Sequence, residues 1–452
     1  MSLIDTIVAP ATPYGESALA VVRVSGPLCA ELANSCLGAG VAETPRKAFV
    51  RNYKALDGNV LDNCLAVFFA GKRSYTGEPL LELSLHGNPL IVQRVTEDLL
   101  ARGCRMAEPG EFTRTAFLNG KLDLSQAEAV TDLISARSEQ ALQVAQRQLD
   151  GSIGRKMAEL TDRLLGIIAS VEAYIDFPEE DLPPEDQAGP AAELAALSRE
   201  LSELIETSHY KTLLHEGIRT VIMGEPNAGK SSLLNALMGE DRAIVSAEPG
   251  TTRDFLTERV MIGSYGLQLV DTAGIRESDA DIERQGIERT LKQVKDADFL
   301  LVVVDQAALP PHFPKVVEER LAQHRVLVVE NKIDLPPHPA FHDVLPGHPR
   351  VRISLAKGDG LPELRAKIQE TLEADRVVPA ADELMVSARH ADALARARAS
   401  VDEARVGLRD GIAEELAAAG LRDALAAFGE VIGKIDNEDM LDKLFANFCI
   451  GK

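Results

Sequence analysis

Between residues 217 and 372 short apolar or β-branched runs recur at 219–223, 267–270, 299–304, 326–329 and 351–354, with helix-compatible stretches between them. Apolar runs of strand length alternating with helical segments predict a doubly wound α/β sheet. The first 120 residues read differently. Strand-like runs at 18–24, 64–69 and 80–85 accompany a helical stretch at 89–102, which predicts a separate α+β domain. Ala/Leu/Gln/Glu-rich sequence fills 125–150, where Ser125-Gln-Ala-Glu128 reads as the capping box of one long helix and Gly151 as its stop. The stretch 176–190 holds four prolines and a cluster of acids, so a loop between helices is expected there. From Ser387 onward the chain is again Ala/Leu/Arg/Glu-rich without a strong strand run. The expected order is an N-terminal α+β domain (1–120), a helical domain in two parts (121–216 and 373–452), and an α/β domain (217–372) inserted between them.

Composition narrows the class. A length of 452 residues fits about three domains. A hydrophobic content of 45% with 26% charged residues excludes wholesale disorder. No apolar run approaches the roughly 18–20 residues of a membrane helix. MSLIDTIVAP carries no export signal, so a soluble, cytoplasmic protein is expected. The five cysteines (29, 36, 64, 104 and 449) form no CxxC pair and read as reduced thiols rather than a zinc site.

The net charge of −22, from 48 basic and 70 acidic residues, argues against holding nucleic acid by charge alone. It is unevenly spread. Residues 1–120 hold 11 basic and 12 acidic residues, 121–216 hold 8 and 19, 217–372 hold 19 and 23, and 373–452 hold 10 and 16. The two helical stretches therefore supply 17 of the 22 excess negative charges.

The chemistry sits in the α/β stretch. Gly224-Glu-Pro-Asn-Ala-Gly-Lys-Ser231 fits GxxxxGK[ST] after a strand and before a helix opening at Ser232. Backbone N–H groups of Asn227, Ala228 and Gly229 wrap a β-phosphate in such a loop, Lys230 reaches the β/γ oxygens, and the Ser231 hydroxyl ligates Mg²⁺. Asp271-Thr272-Ala273-Gly274 follows a strand, placing a carboxylate near the Mg²⁺ shell and an N–H at the γ-phosphate. In Asn331-Lys332-Ile333-Asp334 the aspartate can accept both N1–H and N2–H of guanine, which selects GTP over ATP. Gly250-Thr251-Thr252-Arg-Asp254 supplies a threonine, Thr252, able to close over Mg²⁺, and Ser354-Leu355-Ala356 falls where a base-contacting loop is expected. Ile275 stands where a Ras-type enzyme carries the glutamine that orients water, so hydrolysis needs another polar group. The charged stretch 276–285 offers candidates that also read as a solvated switch loop. Asn227 can bring positive charge by ligating a monovalent cation, or can simply stabilise the loop.

The GTPase phrases GEPNAGKSS, GTTRD, DTAGIR and NKID, together with Asp5-Thr-Ile-Val-Ala-Pro-Ala-Thr12, Val22-Arg-Val-Ser-Gly26, Ser74-Tyr-Thr-Gly-Glu78, Pro109-Gly-Glu-Phe-Thr113, NGKLDLSQAE (119–128) and Phe448-Cys-Ile-Gly-Lys452, resemble the MnmE (TrmE) family of tRNA-modification GTPases over the full length. The resemblance implies a folate-binding-like N-terminal domain that makes a homodimer, a helical domain, and an inserted Ras-like P-loop GTPase domain. It further implies a partner, the FAD protein MnmG (GidA), with which the family adds an aminomethyl or carboxymethylaminomethyl group to C5 of wobble uridine in certain tRNAs. The one-carbon donor would be 5-formyl- or methylene-tetrahydrofolate, bound by Arg23, Glu82 and Lys121 and closed over by Lys452, with Cys449 matching a functionally important cysteine. In the nucleotide site the resemblance implies K⁺ held by Asn227 and the loop Ser246-Ala247-Glu248-Pro249-Gly250-Thr251, Mg²⁺ on Ser231 and Thr252, and water positioned by Glu283 through an intermediary.

Read locally, Arg23 and Lys121 are surface or capping residues, Glu82 an outward strand position, and Cys449 a buried apolar thiol between Phe448 and Ile450. His86-Gly-Asn88 stands where the family has HGG, and Ser354-Leu355-Ala356 departs from its Ser-Ala-Lys/Arg. Two other readings use the same GTPase motifs: an Era-like ribosome-assembly factor, which calls for a flanking KH-type or basic RNA domain, and a nucleotide-dependent scaffold with negligible turnover. If tRNA is the substrate, the acidity of the chain leads us to expect the partner to make most of the phosphate contacts.

Overall fold

The computed structural model describes residues 5–176, 184–239, 257–271, 294–295, 297–311, 313, 315–341, 344–374, 384–410, 414–434, 438–446, 448–449 and 451. They form two compact units, one made of Met1–Ile134, Arg147–Leu197 and Arg396–Lys452, the other of Ser135–Gln146 and Ser198–Ala395.

In the first unit β1 (Ile7–Pro10), β2 (Ser17–Ser25), β3 (Ala48–Lys54), β4 (Val60–Phe69), β5 (Leu80–Gly87) and β6 (Arg105–Met106) make a mixed sheet in the order β3-β4-β5-β2-β1-β6. Its two faces follow from period-2 alternation. Ala20, Val22, Val24, Cys64, Ala66, Phe68, Leu81, Leu83 and Leu85 all point to one face, where α1 (Cys29–Leu37) and α2 (Pro89–Ala101) bury them. Arg23, Glu82 and Ser84 fall on the other face, and the antiparallel register sets Arg23 directly opposite Glu82. Cys29, Cys36, Cys64 and Cys104 belong to the helix-covered core. Burial pushes the Cys29 and Cys64 thiols up to about 12 and Cys104 to about 11, so these four are inert packing groups.

Asp98 of α2 ties the sheet edge down. It accepts from the Tyr53 hydroxyl at 2.8 Å, from Leu56 N at 2.8 Å and from Arg102 Nε at 2.7 Å, so a buried carboxylate keeps all its partners.

After α3 (Glu111–Leu118) come α4 (Leu124–Ser135), α5 (Glu139–Leu149) and α6 (Ser152–Asp176). The long helix expected over 125–150 is therefore two. Ser138 breaks it by accepting from Ala141 N at 3.1 Å, capping α5 afresh. The cap expected at Ser125 lies two residues earlier: Asp123 Oδ1 accepts from Gln126 N at 2.8 Å, while Gln126 Oε1 accepts from Asp123 N at 3.0 Å. Helix α7 (Pro184–Glu216) starts inside the stretch expected to be a loop, with Pro190 within it.

The second unit holds β7 (Ile218–Gly224), α8 (Lys230–Met238), β8 (Thr257–Ile262), β9 (Tyr265–Asp271), β10 (Phe299–Asp305), α9 (Lys315–Leu321), β11 (Val326–Asn331), β12 (Arg350–Arg352) and α10 (Leu361–Ala374). The sheet order is β12-β11-β10-β7-β9-β8, parallel except for β8. All five expected strands are present. β8 is an addition, because its Thr-Glu-Arg-Val-Met-Ile sequence is half polar and gives no continuous apolar run. The chain leaves β7 towards β9 and returns on its other side at β10, so the switch point of the sheet lies at the end of β7, where α/β folds bind ligands.

Helices α11 (Ala388–Asp410), α12 (Glu414–Ile432) and α13 (Glu438–Phe445) complete the description, and α12 packs on α6, with an Arg422–Glu172 ion pair at the surface. No described helix is long and apolar enough to cross a membrane.

Phe299 is wholly buried at the start of the central strand β10. Phe299→Ala should cost about 3–5 kcal/mol of unfolding free energy, read as a lower denaturant midpoint with unchanged slope.

Candidate functional site

The turn after β7 is shaped by two glycines and an asparagine. At Gly224 (φ +151°) a Cβ would lie 2.2 Å from Val303 O, and at Gly229 (φ +108°) 2.3 Å from Asn331 Nδ2, so neither position admits a side chain. Asn227 takes the left-handed conformation at φ 64°. The Asn227 carboxamide and the Ser231 hydroxyl have no hydrogen-bond partner among the described residues, and both are exposed. Lys230 folds back over the loop, donating to Gly224 O at 2.9 Å and Glu225 O at 2.8 Å. The first N–H groups of α8, a lysine laid along the loop and the Ser231 hydroxyl make an anion cradle.

Asn331 joins that cradle to the base-side loops. Its Nδ2 donates to Ala228 O at 2.8 Å and its Oδ1 accepts from Leu355 N at 3.2 Å. Leu355 thus joins Asn331 through its main chain. Lys332, at φ 66°, pairs with Asp305 Oδ2 at 2.6 Å. Ser354 Oγ donates to Asp334 Oδ1 at 2.6 Å and holds that carboxyl below the usual carboxylate range, with Lys357 and Lys332 helping. A carboxylate so fixed accepts two parallel N–H groups, the pattern of a guanine edge. Sequence reading missed Ser354 in this role and missed Asp305; an acid ending the strand beside NKID was the available signal.

A second cluster lies on the open face of the N-terminal sheet. Arg23 pairs with Glu82 through Nε at 3.0 Å and through NH2 at 2.8 Å, and its NH1 donates to Gly451 O at 3.4 Å. Tyr75 and Phe112 flank the guanidinium at 5.5 and 5.8 Å from their ring centroids. Gly451 (φ +95°) has no room for a Cβ, which would meet Pro10 O at 2.3 Å, and Gly110 (φ +68°) would meet Phe445 O at 2.8 Å. The phrase Pro109-Gly-Glu-Phe-Thr113 thus packs, through Gly110, against Phe445, Phe448 and Cys449.

Cys449 is exposed, which corrects the local reading of a buried thiol, and its carbonyl accepts from Gly110 N at 3.4 Å. Lys121 Nζ donates to Lys72 O at 2.9 Å and is not among the groups bonded to Arg23 and Glu82 in the described residues. Ser246, Ala247, Glu248, Pro249, Gly250, Thr251, Thr252, Thr272, Ala273, Gly274, Ile275, Glu283 and Lys452 lie outside the described residues, as does the Asp271 side chain. No cluster of three His, Cys, Asp or Glu side chains suited to a metal occurs among the described residues.

A phosphate cradle at the switch point of a doubly wound sheet, beside a loop built for guanine, defines a P-loop GTPase domain. Residues 124–449 match the family model described as MnmE helical domain and residues 6–121 that described as GTP-binding protein TrmE N-terminus. The chain is 49% identical over 449 residues to "tRNA modification GTPase MnmE" of Opitutus terrae, covering 99% of each. Proteins of the same description in Akkermansia muciniphila and Geobacter sulfurreducens are 43% and 41% identical, again over 99% of both chains. The chain belongs to the MnmE family of tRNA-modification GTPases.

Asp334→Asn should weaken GTP binding by roughly 100-fold or more and favour xanthine nucleotides, whose C2 carbonyl accepts where guanine donates. Equilibrium titration with fluorescent GTP and XTP analogues reads both effects.

Proposed function

We propose that this GTPase is K⁺-stimulated and acts with an FAD-dependent partner of the MnmG (GidA) type. Together they add an aminomethyl or carboxymethylaminomethyl group to C5 of the tRNA wobble uridine from a tetrahydrofolate one-carbon donor. The observation that carries the reading is the meeting of Arg23, Glu82, Tyr75 and Phe112 with the 445–451 segment. It pairs a carboxylate acceptor with a guanidinium between aromatic faces, a donor set suited to a flat, hydrogen-bonding cofactor that carries an acidic tail. The folate supplies the one-carbon unit when bound. Glu82 would accept its N–H groups, Arg23 would hold both Glu82 and the cofactor, and Lys121 and Lys452 would approach from the rim. Cys449, exposed beside this cluster, would face the chemistry rather than the core.

In the nucleotide site Asn227, Ala228, Gly229, Lys230, Ser231 and Ser232 would hold the phosphates, and Asn331–Asp334 with Ser354–Ala356 the base. Mg²⁺ would sit on Ser231 and Thr252. K⁺ would sit on Asn227, whose free, exposed carboxamide fits a monovalent cation, with Ser246, Glu248 and Thr251 completing its shell. Ile275 cannot orient water, so Glu283 takes that task through an intermediary while K⁺ supplies transition-state charge.

The domain boundaries read from sequence, homodimerisation through the N-terminal domain and a cytoplasmic location complete the proposal. An Era-like ribosome-assembly role has less support, because the described residues from 388 to 445 are helical and hold no strand from which to build a KH domain.

GTP turnover should be many times faster in K⁺ than in Na⁺ at equal ionic strength. Equal, near-zero rates in both salts would remove the K⁺ mechanism. Nucleoside analysis of tRNA from a deletion strain should show loss of the C5-aminomethyl-type wobble modification, and its retention would refute the functional reading.

A further inference from the structure

The acidic chain contains a region of opposite sign in its N-terminal part. Residues 44–56 and 63–77 contain Arg46, Lys47, Arg51, Lys54, Lys72 and Arg73 and no aspartate or glutamate. The fold joins these two stretches as the edge hairpin β3–β4 and the 3₁₀ turn Gly71–Arg73 that follows β4. Arg46 N donates to Phe68 O at 2.7 Å, so the start of β3 lies beside the end of β4, and Lys72 and Arg73 come at that same end. The hairpin's own acids, Asp57 and Asp62, sit at the opposite end, where Asp62 is buried and bound to His86. None of the six cations has a carboxylate partner among the described residues.

The strip is also held in shape. Lys47 Nζ and the Arg51 guanidinium lie over the Phe49 ring at 5.4 and 5.0 Å, and Tyr53 is anchored to Asp98. Cations on an edge strand do block strand addition, but a lysine or two serves that purpose, and Lys72 and Arg73 are not on the edge.

We propose that this strip is the surface through which the chain touches the phosphate backbone of its RNA substrate. The inference rests on tRNA being that substrate. Charge complementarity selects the occupant: Arg46, Lys47, Lys72 and Arg73 gathered at one end of the hairpin, with Arg51 and Lys54 along a β3 of about 23 Å, suit a short run of phosphates, whereas the rest of a chain at −22 repels them. Six cations also set a ceiling, so the contact is modest and most phosphates are left to the partner.

The test is tRNA binding by the full chain at several salt concentrations, comparing wild type with the quadruple variant Arg46→Ala, Lys47→Ala, Lys72→Ala, Arg73→Ala. We expect roughly tenfold or greater weakening, with the salt slope lowered by about 1 per cation removed and GTP turnover unchanged. The charge-keeping swap of the same four positions (Arg46→Lys, Lys47→Arg, Lys72→Arg, Arg73→Lys) should restore binding. Should the quadruple variant aggregate, Lys72→Ala with Arg73→Ala leaves β3 intact and should still lower the slope by about 2. Equal affinity and slope in wild type and variants, or no tRNA binding by the wild type, overturns the strip. If a deletion strain nevertheless loses the wobble modification, the substrate reading stands and only this surface is wrong.

Discussion

The side chain of Asn331 is the joint on which the nucleotide site depends. One amide group donates to the P-loop carbonyl of Ala228 and accepts from the main chain of Leu355, so the phosphate side and the base side are fixed to each other by two hydrogen bonds. That span is short enough to forbid any side chain at residue 229, where even a methyl group would collide with the amide. Phosphate cradle and base loop are thereby set at one spacing before ligand arrives, which lowers the ordering cost of binding. Removing the donor would leave the buried Ala228 carbonyl unsatisfied as well as loosen the spacing.

Much of this was legible in the sequence, and the reasons for the exceptions are physical. The parallel strands were readable because burial on both faces forces unbroken apolar runs such as 299–304, all of it buried. β8 was not, since this antiparallel edge strand opens on Thr-Glu-Arg and leaves only the three-residue apolar run Val260-Met261-Ile262. The single helix expected from 125 to 150 failed on capping chemistry: Ser138 and Asp123 compete for backbone N–H groups, and residue-type periodicity does not register such competition. The P-loop and NKID were read from spacing, and Arg23 and Glu82 were named singly through the resemblance, without their pairing. Their supporting residues, Ser354, Asp305, Tyr75 and Phe112, come from distant parts of the chain, so spacing alone does not show which of them meet.

Cys449 illustrates the same limit from the other side. Flanked by Phe448 and Ile450 it reads as core, yet Phe448 turns inward, against Gly110 and Phe445, while the Cys449 thiol is exposed. The four cysteines of the N-terminal core have thiols raised by burial. One residue type therefore divides into inert packing groups and a single accessible thiol by backbone placement alone.

The bond from Arg23 to Gly451 spans 428 positions of sequence. During synthesis the sheet bearing Arg23 emerges first, and hundreds of residues, including the whole GTPase domain, must follow before its cover exists. A nascent chain stopped short of residue 445 would carry the P-loop and the Asn331–Asp334 loop but lack the Gly451 partner of Arg23. The contacts of Arg23 with Gly451 and of Gly110 with Phe445 and Phe448 are therefore the last of the N-terminal sheet's contacts whose partners leave the ribosome.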